Sequence, residues 1–117
     1  MPRRDDLYLT DIIEAAEAIR TFLGRLQSAE SEGFKSDDLV RSAVLQKLSV
    51  IGEAAARVSE ETKQAHPEIP WKQARDMRNL LVHSYFSVDW NVVWTTATQS
   101  VPRLARQVAE MVETEHL

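Results

Sequence analysis

Leu7-Tyr8-Leu9-Thr10-Asp11-Ile12-Ile13-Glu14-Ala15-Ala16-Glu17-Ala18-Ile19-Arg20-Thr21-Phe22-Leu23 is the stretch on which the architecture turns. Its apolar residues fall at Leu9, Ile12, Ile13, Ala16, Ile19, Phe22 and Leu23, and Leu26 extends the series. Steps of three and four put one apolar stripe on a helix of 3.6 residues per turn. The spacing predicts a first helix from Leu7 to about Ser28.

The same rule carries outward along the chain. Ser28 to Gly33 is small and polar and reads as a break. Either Ser36 or Asp37 then suits an N-cap, where a side-chain oxygen accepts from the open N–H groups of a first turn. A second helix follows from about Asp37 to Gln64, its stripe built from Leu39, Val40, Ala43, Val44, Ile51, Ala55 and Val58. Gly52 lies in its middle, where glycine costs up to about 1 kcal/mol against alanine. Close approach by another helix accounts for it, and so does drift. His66-Pro67-Glu68-Ile69-Pro70 ends that helix, and Pro70 fits the first turn of a third one running from Trp71 to about Tyr85. Phe86 to Asp89 is a short break with Ser87 as candidate cap. A fourth helix spans Asp89 to about Val112, with a kink expected at Pro102, which removes a backbone donor. No internal repeat and no strand-like alternation appears. The expectation is all-α: one domain over residues 1–117, an antiparallel four-helix bundle with its long last helix kinked near Pro102.

Composition narrows the function classes. The chain has 117 residues, 44% hydrophobic and 27% charged, and no cysteine. Those values suit one compact domain, and the missing thiols remove disulfides and thiolate metal sites from consideration. The charged start, Met-Pro-Arg-Arg-Asp-Asp, lacks a signal-peptide pattern, and no run of about 18 apolar residues is present to span a bilayer. The expected location is therefore cytoplasmic, without membrane attachment. A formal charge of −4 argues against coating nucleic acid by bulk electrostatics but leaves room for a few concentrated cations. A domain this small buries only about two-thirds of its unfolded surface, which favours a partner-covered face.

Chemistry concentrates on the third helix. On an ideal wheel of about 100° per residue, Arg75, Arg78, Asn79, His83 and Tyr85 share one broad arc, opposite Ala74, Met77, Leu80 and Leu81. A solvent-facing helix surface is ordinarily polar, so the arc by itself does not make a site. The residue types are more pointed: Arg binds phosphate in a fixed fork, and His transfers protons near neutral pH. On the same wheel Arg78 and His83 stand about 140° apart. That is too far to converge easily on one phosphate from a single ideal helix, and distortion near His83 is one way to close the gap. Glu53 on the second helix is within plausible reach of Arg75 or Arg78, with a solvated carboxylate as the equal alternative. His66 and His116 do not pair with His83 at metal-ligand spacing, so no metal and no cofactor is expected. Trp71, Trp90 and Trp94 suit packing better than base stacking.

The string Arg78-Asn79-Leu80-Leu81-Val82-His83-Ser84-Tyr85 resembles the R-x-x-x-x-H-x-Y signature of the HepT-like toxins, a branch of the HEPN ribonucleases. Ile51-Gly52-Glu53-Ala54-Ala55, Ile69-Pro70-Trp71 and the segment Phe86 to Trp90 are similar to that family too. The resemblance implies a toxin of a toxin-antitoxin system, acting as a metal-independent endoribonuclease on RNA such as tRNA or mRNA. It also implies a homodimer in which Arg78 and His83 of both copies form one composite site. His83 would act as general acid or base and Arg78 would hold the scissile phosphate. Asn79, Glu53 and Arg75 would orient these groups. Tyr85 occupies the place at which a minimal nucleotidyltransferase (MntA-like) antitoxin transfers adenylyl groups, and the wheel sets it about 20° from Arg78. A tyrosine packed at a helix end is the plainer reading of that residue. Two other functions compete with the enzyme: a non-catalytic HEPN module that binds the nucleotidyltransferase, and a structural bundle with an accidental motif.

Overall fold

The computed structural model describes residues 2–81 and 85–115, apart from the side chain of Arg3. Val82, His83 and Ser84 lie outside the described residues, and so does His116. Secondary structure among the described residues is entirely helical, which bears out the all-α expectation. Helix α1 runs Arg3–Leu23, α2 Ser31–Ser36, α3 Asp38–Arg57, α4 Glu60–Ala65, α5 Trp71–Asp76, α6 Trp90–Thr95 and α7 Val101–Glu115.

The core follows the apolar stripes. Leu9, Ile12 and Ile19 of α1 pack with Val44, Leu48 and Ile51 of α3 and with Leu104 and Val108 of α7, all of them buried. Asp5 near the start of α1 bonds to Ser59 just beyond the end of α3, so these two long helices run antiparallel. Phe34, fully buried, meets Trp90 edge to face at 6.2 Å and Trp94 at a tilt at 5.3 Å and ties α2 to α6. Trp71 is buried too, and its indole N–H donates to the His66 carbonyl at 2.9 Å. Packing is the role the sequence suggested for these tryptophans.

Several boundaries differ from the periodicity, each for a physical reason. The polar stretch after α1 contains a short helix, α2, because one apolar residue in it, Phe34, is enough to dock it. Asp37, not Ser36, caps α3 and accepts from Val40 N at 2.9 Å. Leu39 was counted in the apolar stripe but is 75% exposed. The second long helix stops at Arg57. Ser59 turns out of it and caps α4, accepting from Thr62 N at 3.2 Å. Asp5 fixes this break: its buried carboxylate accepts from Ser59 N at 3.0 Å, Ser59 Oγ at 2.7 Å and Thr62 Oγ1. Burial pushes the Asp5 pKa up, but the hydrogen bonds from Thr62 and Ser59 pull harder and leave it below its ordinary 3.8.

Helix α5 begins at Trp71, with the Pro70 carbonyl accepting the first bond from Ala74 N at 2.9 Å. Pro70 is thus the cap and not the first helical residue. Asp89, not Ser87, caps α6, accepting from Asn91 N and Val92 N at 3.1 and 3.3 Å. Between α6 and α7 the ladder widens to a π turn over Thr96–Ser100, immediately before Pro102. Proline cannot supply the usual bond to the fourth residue back, and a wider turn accommodates that loss.

Candidate functional site

The motif segment does not continue as one helix. Helix α5 ends at Asp76, and Met77–Asn79 form a tighter 3-10 turn, closed by Leu80 N on the Met77 carbonyl at 3.4 Å. A second 3-10 turn covers Tyr85–Ser87. Angles from an ideal wheel therefore hold for Ala74 and Met77, which are buried, and fail further on. Leu81, placed on the core stripe, is 43% exposed.

Gly52 explains where the tightening occurs. A Cβ added to it would stand 2.6 Å from Arg78 Cβ and 2.8 Å from the Arg75 carbonyl oxygen, and closer still to the Arg78 backbone nitrogen. Close approach, not drift, is the reason for this mid-helix glycine. The backbone carrying Arg78 is pressed onto α3, and the guanidinium is left to project along its surface.

That guanidinium meets Glu53. Arg78 Nη1 lies 3.5 Å from Glu53 Oε1, with both side chains substantially exposed. Of the two arginines the sequence offered as partners of Glu53, the structure selects Arg78. Arg75 turns to its neighbour Asp76 at 3.4 Å, and Lys72 reaches the same carboxylate at 3.9 Å. Asn79 is exposed on the 3-10 turn. Lys72 and Arg75 on α5 and Arg78 on the 3-10 turn that follows thus lie within one short stretch of a chain whose formal charge is −4. Their ion pairs are solvent-exposed and contribute at most about 1 kcal/mol each, so an incoming phosphate can displace the carboxylates. Glu53 also lines a depression of about 380 Å³ with Tyr8, Asp11, Ser49 and Arg57, residues that no motif in the sequence marks.

Tyr85 belongs to a separate cluster. Its hydroxyl donates to Asp38 Oδ1 at 2.7 Å and shares a hydrogen bond with Ser42 Oγ at 2.5 Å. Its ring meets Trp90 edge to face at 5.3 Å, and the Arg41 guanidinium lies over the Trp90 and Tyr85 rings at 4.7 and 5.7 Å. These α3 residues escaped the sequence reading, although Asp38, Arg41 and Ser42 stand at the helical spacing of one face. Gly52, against which Arg78 packs, is ten positions further along α3. At 1.5 Å per residue the two anchor points are about 15 Å apart. Tyr85 is therefore not beside Arg78 in the same chain, as the wheel had placed it. His83, the other expected catalytic residue, lies outside the described residues.

Comparison with known proteins bears on these same residues. The family described as ribonuclease HepT-like matches residues 12–111, which include α3, the motif and both anchors. The chain belongs to the HepT-like ribonuclease family. It is 39% identical over 104 residues to a protein named "Probable ribonuclease HepT" in Thermococcus cleftensis, covering 89% of this chain and 92% of the relative. It is 32% identical over 108 residues to a candidate RNase of Caldanaerobacter subterraneus subsp. tengcongensis, covering 92% and 94% of the two chains. A third relative, from Methanocaldococcus jannaschii, joins a gamma-glutamylcyclotransferase to a candidate RNase in its name. This chain matches it at 27% identity and spans 47% of its length. No solved structure matches the HepT-like chain. Among its described residues no helix is long and apolar enough to cross a membrane.

Proposed function

We propose that this protein is a metal-independent endoribonuclease and the toxin of a toxin-antitoxin system, with Arg78 and His83 as its catalytic residues. Membership of the HepT-like ribonuclease family over residues 12–111 carries the reading. The exposed, weakly paired guanidinium of Arg78 supports it.

In this reaction the ribose 2′-hydroxyl attacks the adjacent phosphorus. The P–O5′ bond breaks, and a 2′,3′-cyclic phosphate remains on one fragment. His83 takes the 2′ proton or returns one to the 5′-oxygen, since an imidazole with a pKa near 6.5 serves either way. Arg78 leaves Glu53 for the scissile phosphate and stabilises the charge that grows on its oxygens. Asn79 and Arg75 hold further substrate oxygens. One chain offers a single copy of each group, and a homodimer with its motif segments apposed supplies two, enough for an acid and a base. The partner antitoxin is a minimal nucleotidyltransferase that modifies Tyr85. The phenolic oxygen attacks the α-phosphorus of ATP, an O–P bond forms, pyrophosphate leaves and the phenol proton passes to solvent.

The test is cleavage of a tRNA-rich RNA by unmodified protein in EDTA, beside folded His83→Ala and Arg78→Ala proteins. Cleavage should survive chelation, leave cyclic phosphate ends, and drop by about a hundredfold or more in each variant. A wild-type protein that binds a nucleotidyltransferase yet cleaves nothing would instead be a binding module.

A further inference from the structure

Glu53 faces two ways: its carboxylate pairs with Arg78, and it forms one rim of the depression of about 380 Å³ between α1 and α3. We propose that this depression is a subsite for one base of the RNA strand, and that it selects bases carrying an exocyclic amino group over uracil. The inference rests on the ribonuclease reading above and adds to it the residues that choose where the strand is cut.

Unused hydrogen-bonding capacity carries the first step. Tyr8 and Asp11 line the depression from α1, and Ser49 and Arg57 line it from α3. None of these four side chains makes a hydrogen bond or ion pair with another described residue. Lys35, Arg41, Lys63, Lys72, Arg75 and Arg78, by contrast, all have carboxylate partners. Tyr8 packs partly against the core, which holds its ring in place at the wall, and Val50 and Ala54 add apolar surface. An aromatic wall, apolar surface and free donors and acceptors are what proteins use to take up the splayed bases of single-stranded RNA.

Charge decides what enters. Asp11 and Glu53 repel phosphate, so the strand places a base in the depression and keeps its backbone outside. Arg57 stands five positions beyond Gly52, on which the Arg78 backbone is seated, or about 7.5 Å along α3. Two guanidinium groups so spaced suit neighbouring phosphates of one strand, Arg78 on the scissile one and Arg57 on the next. The base between them lies against Tyr8, and its edge reaches Asp11. Adenine, cytosine and guanine each carry an amino group that donates to a carboxylate. Uracil has none, and its one N–H sits between two carbonyl oxygens that a carboxylate repels. Ser49, which both donates and accepts, takes a remaining edge atom.

Mapping of cleavage sites on a random-sequence RNA tests the selection in the full chain. Anisotropy with 2′-O-methyl oligoadenylate and oligouridylate, which lack the 2′-hydroxyl that reacts, measures binding apart from cleavage. Wild type should disfavour uracil about tenfold at one fixed position beside the cut. Asp11→Asn, at an exposed position, replaces an acceptor with an amide that also donates, and should shrink that preference to about twofold or less. Tyr8→Ala should raise KM about tenfold with kcat little changed, since stacking is made alike in bound substrate and transition state. Tyr8→Phe keeps the ring and should behave as wild type. Arg57→Ala should weaken binding of both oligomers alike and lower the salt slope of binding by about 0.7. No discrimination against uracil, a preference that survives in Asp11→Asn, or an unchanged KM in Tyr8→Ala would each overturn the subsite while leaving the nuclease. A Tyr8→Ala protein that loses a dimer and keeps its affinity for RNA would make the depression a contact between copies and overturn it too. A wild type that cleaves nothing, yet prefers oligoadenylate through Asp11, would keep the subsite and overturn the ribonuclease reading instead.

Discussion

At Gly52, α3 meets the motif with no side chain at all; ten to fourteen residues earlier, at Asp38, Arg41 and Ser42, it meets Tyr85 with three polar ones. The first contact is backbone against backbone, which fixes where Arg78 starts but leaves its guanidinium free to reach outward. The second grips the tip and face of a side chain and holds the backbone only through it. One end of the motif is thus built to present a charge and the other to be held.

The comparison breaks most readily at Gly52. Alanine is the better helix former by up to about 1 kcal/mol. Its methyl, however, would stand well inside contact distance of the Arg78 and Arg75 backbone, which cannot swing aside like a side-chain tip. Gly52→Ala should therefore destabilise the fold by about 2 kcal/mol, within the usual overpacking range, and Gly52→Val by more. Urea unfolding measures the loss. RNA cleavage by the fraction still folded should also fall, because the start of the motif has been pushed off α3.

Just past the glycine end, α3 is closed by a buried carboxylate, and there the sensitivity is to acid. Asp5→Ala leaves Ser59 N and two hydroxyl groups without their acceptor and should cost about 1–3 kcal/mol at neutral pH. Since the folded pKa of Asp5 lies below its ordinary 3.8, its contribution is complete above that value and is lost as pH falls through the folded one. Wild-type stability should accordingly decline in acid more steeply than that of Asp5→Ala. Denaturant midpoints taken from neutral pH to about pH 3 compare the two slopes.

Periodicity alone revealed α1 and α3, because each buries a long stripe whose spacing is local. What it missed depends on residues distant in sequence. The break at Ser59 is made by Asp5, 54 positions away. The end of α5 coincides with close packing on Gly52, and the grip on Tyr85 comes from side chains 43 and 47 positions back. The site was legible as composition, with Arg78, Asn79 and Tyr85 in a family string. Its geometry was not: an unbroken helix would have put Tyr85 and Arg78 on one face about two turns apart, whereas Arg78 packs on Gly52 and Tyr85 bonds to Asp38 and Ser42 near the other end of α3. Glu53 was ambiguous between two arginines until the backbone of one was seated.

Glu53 gives the smallest effect and the sharpest test of the presenting end. Its pair with Arg78 spans 3.5 Å between side chains 56% and 37% exposed, so water screens most of the attraction. Glu53→Gln should change folding stability by no more than about 0.5 kcal/mol. If Arg78 must leave this carboxylate to take a phosphate, removing the competing charge should favour substrate, and KM for RNA should fall modestly while kcat holds. A carboxylate that instead aims the guanidinium during the reaction would show the opposite pattern in Glu53→Gln, with kcat lowered and KM little changed. The first result would make Glu53 a parking place for the arginine, and the second would make it part of the arginine's alignment.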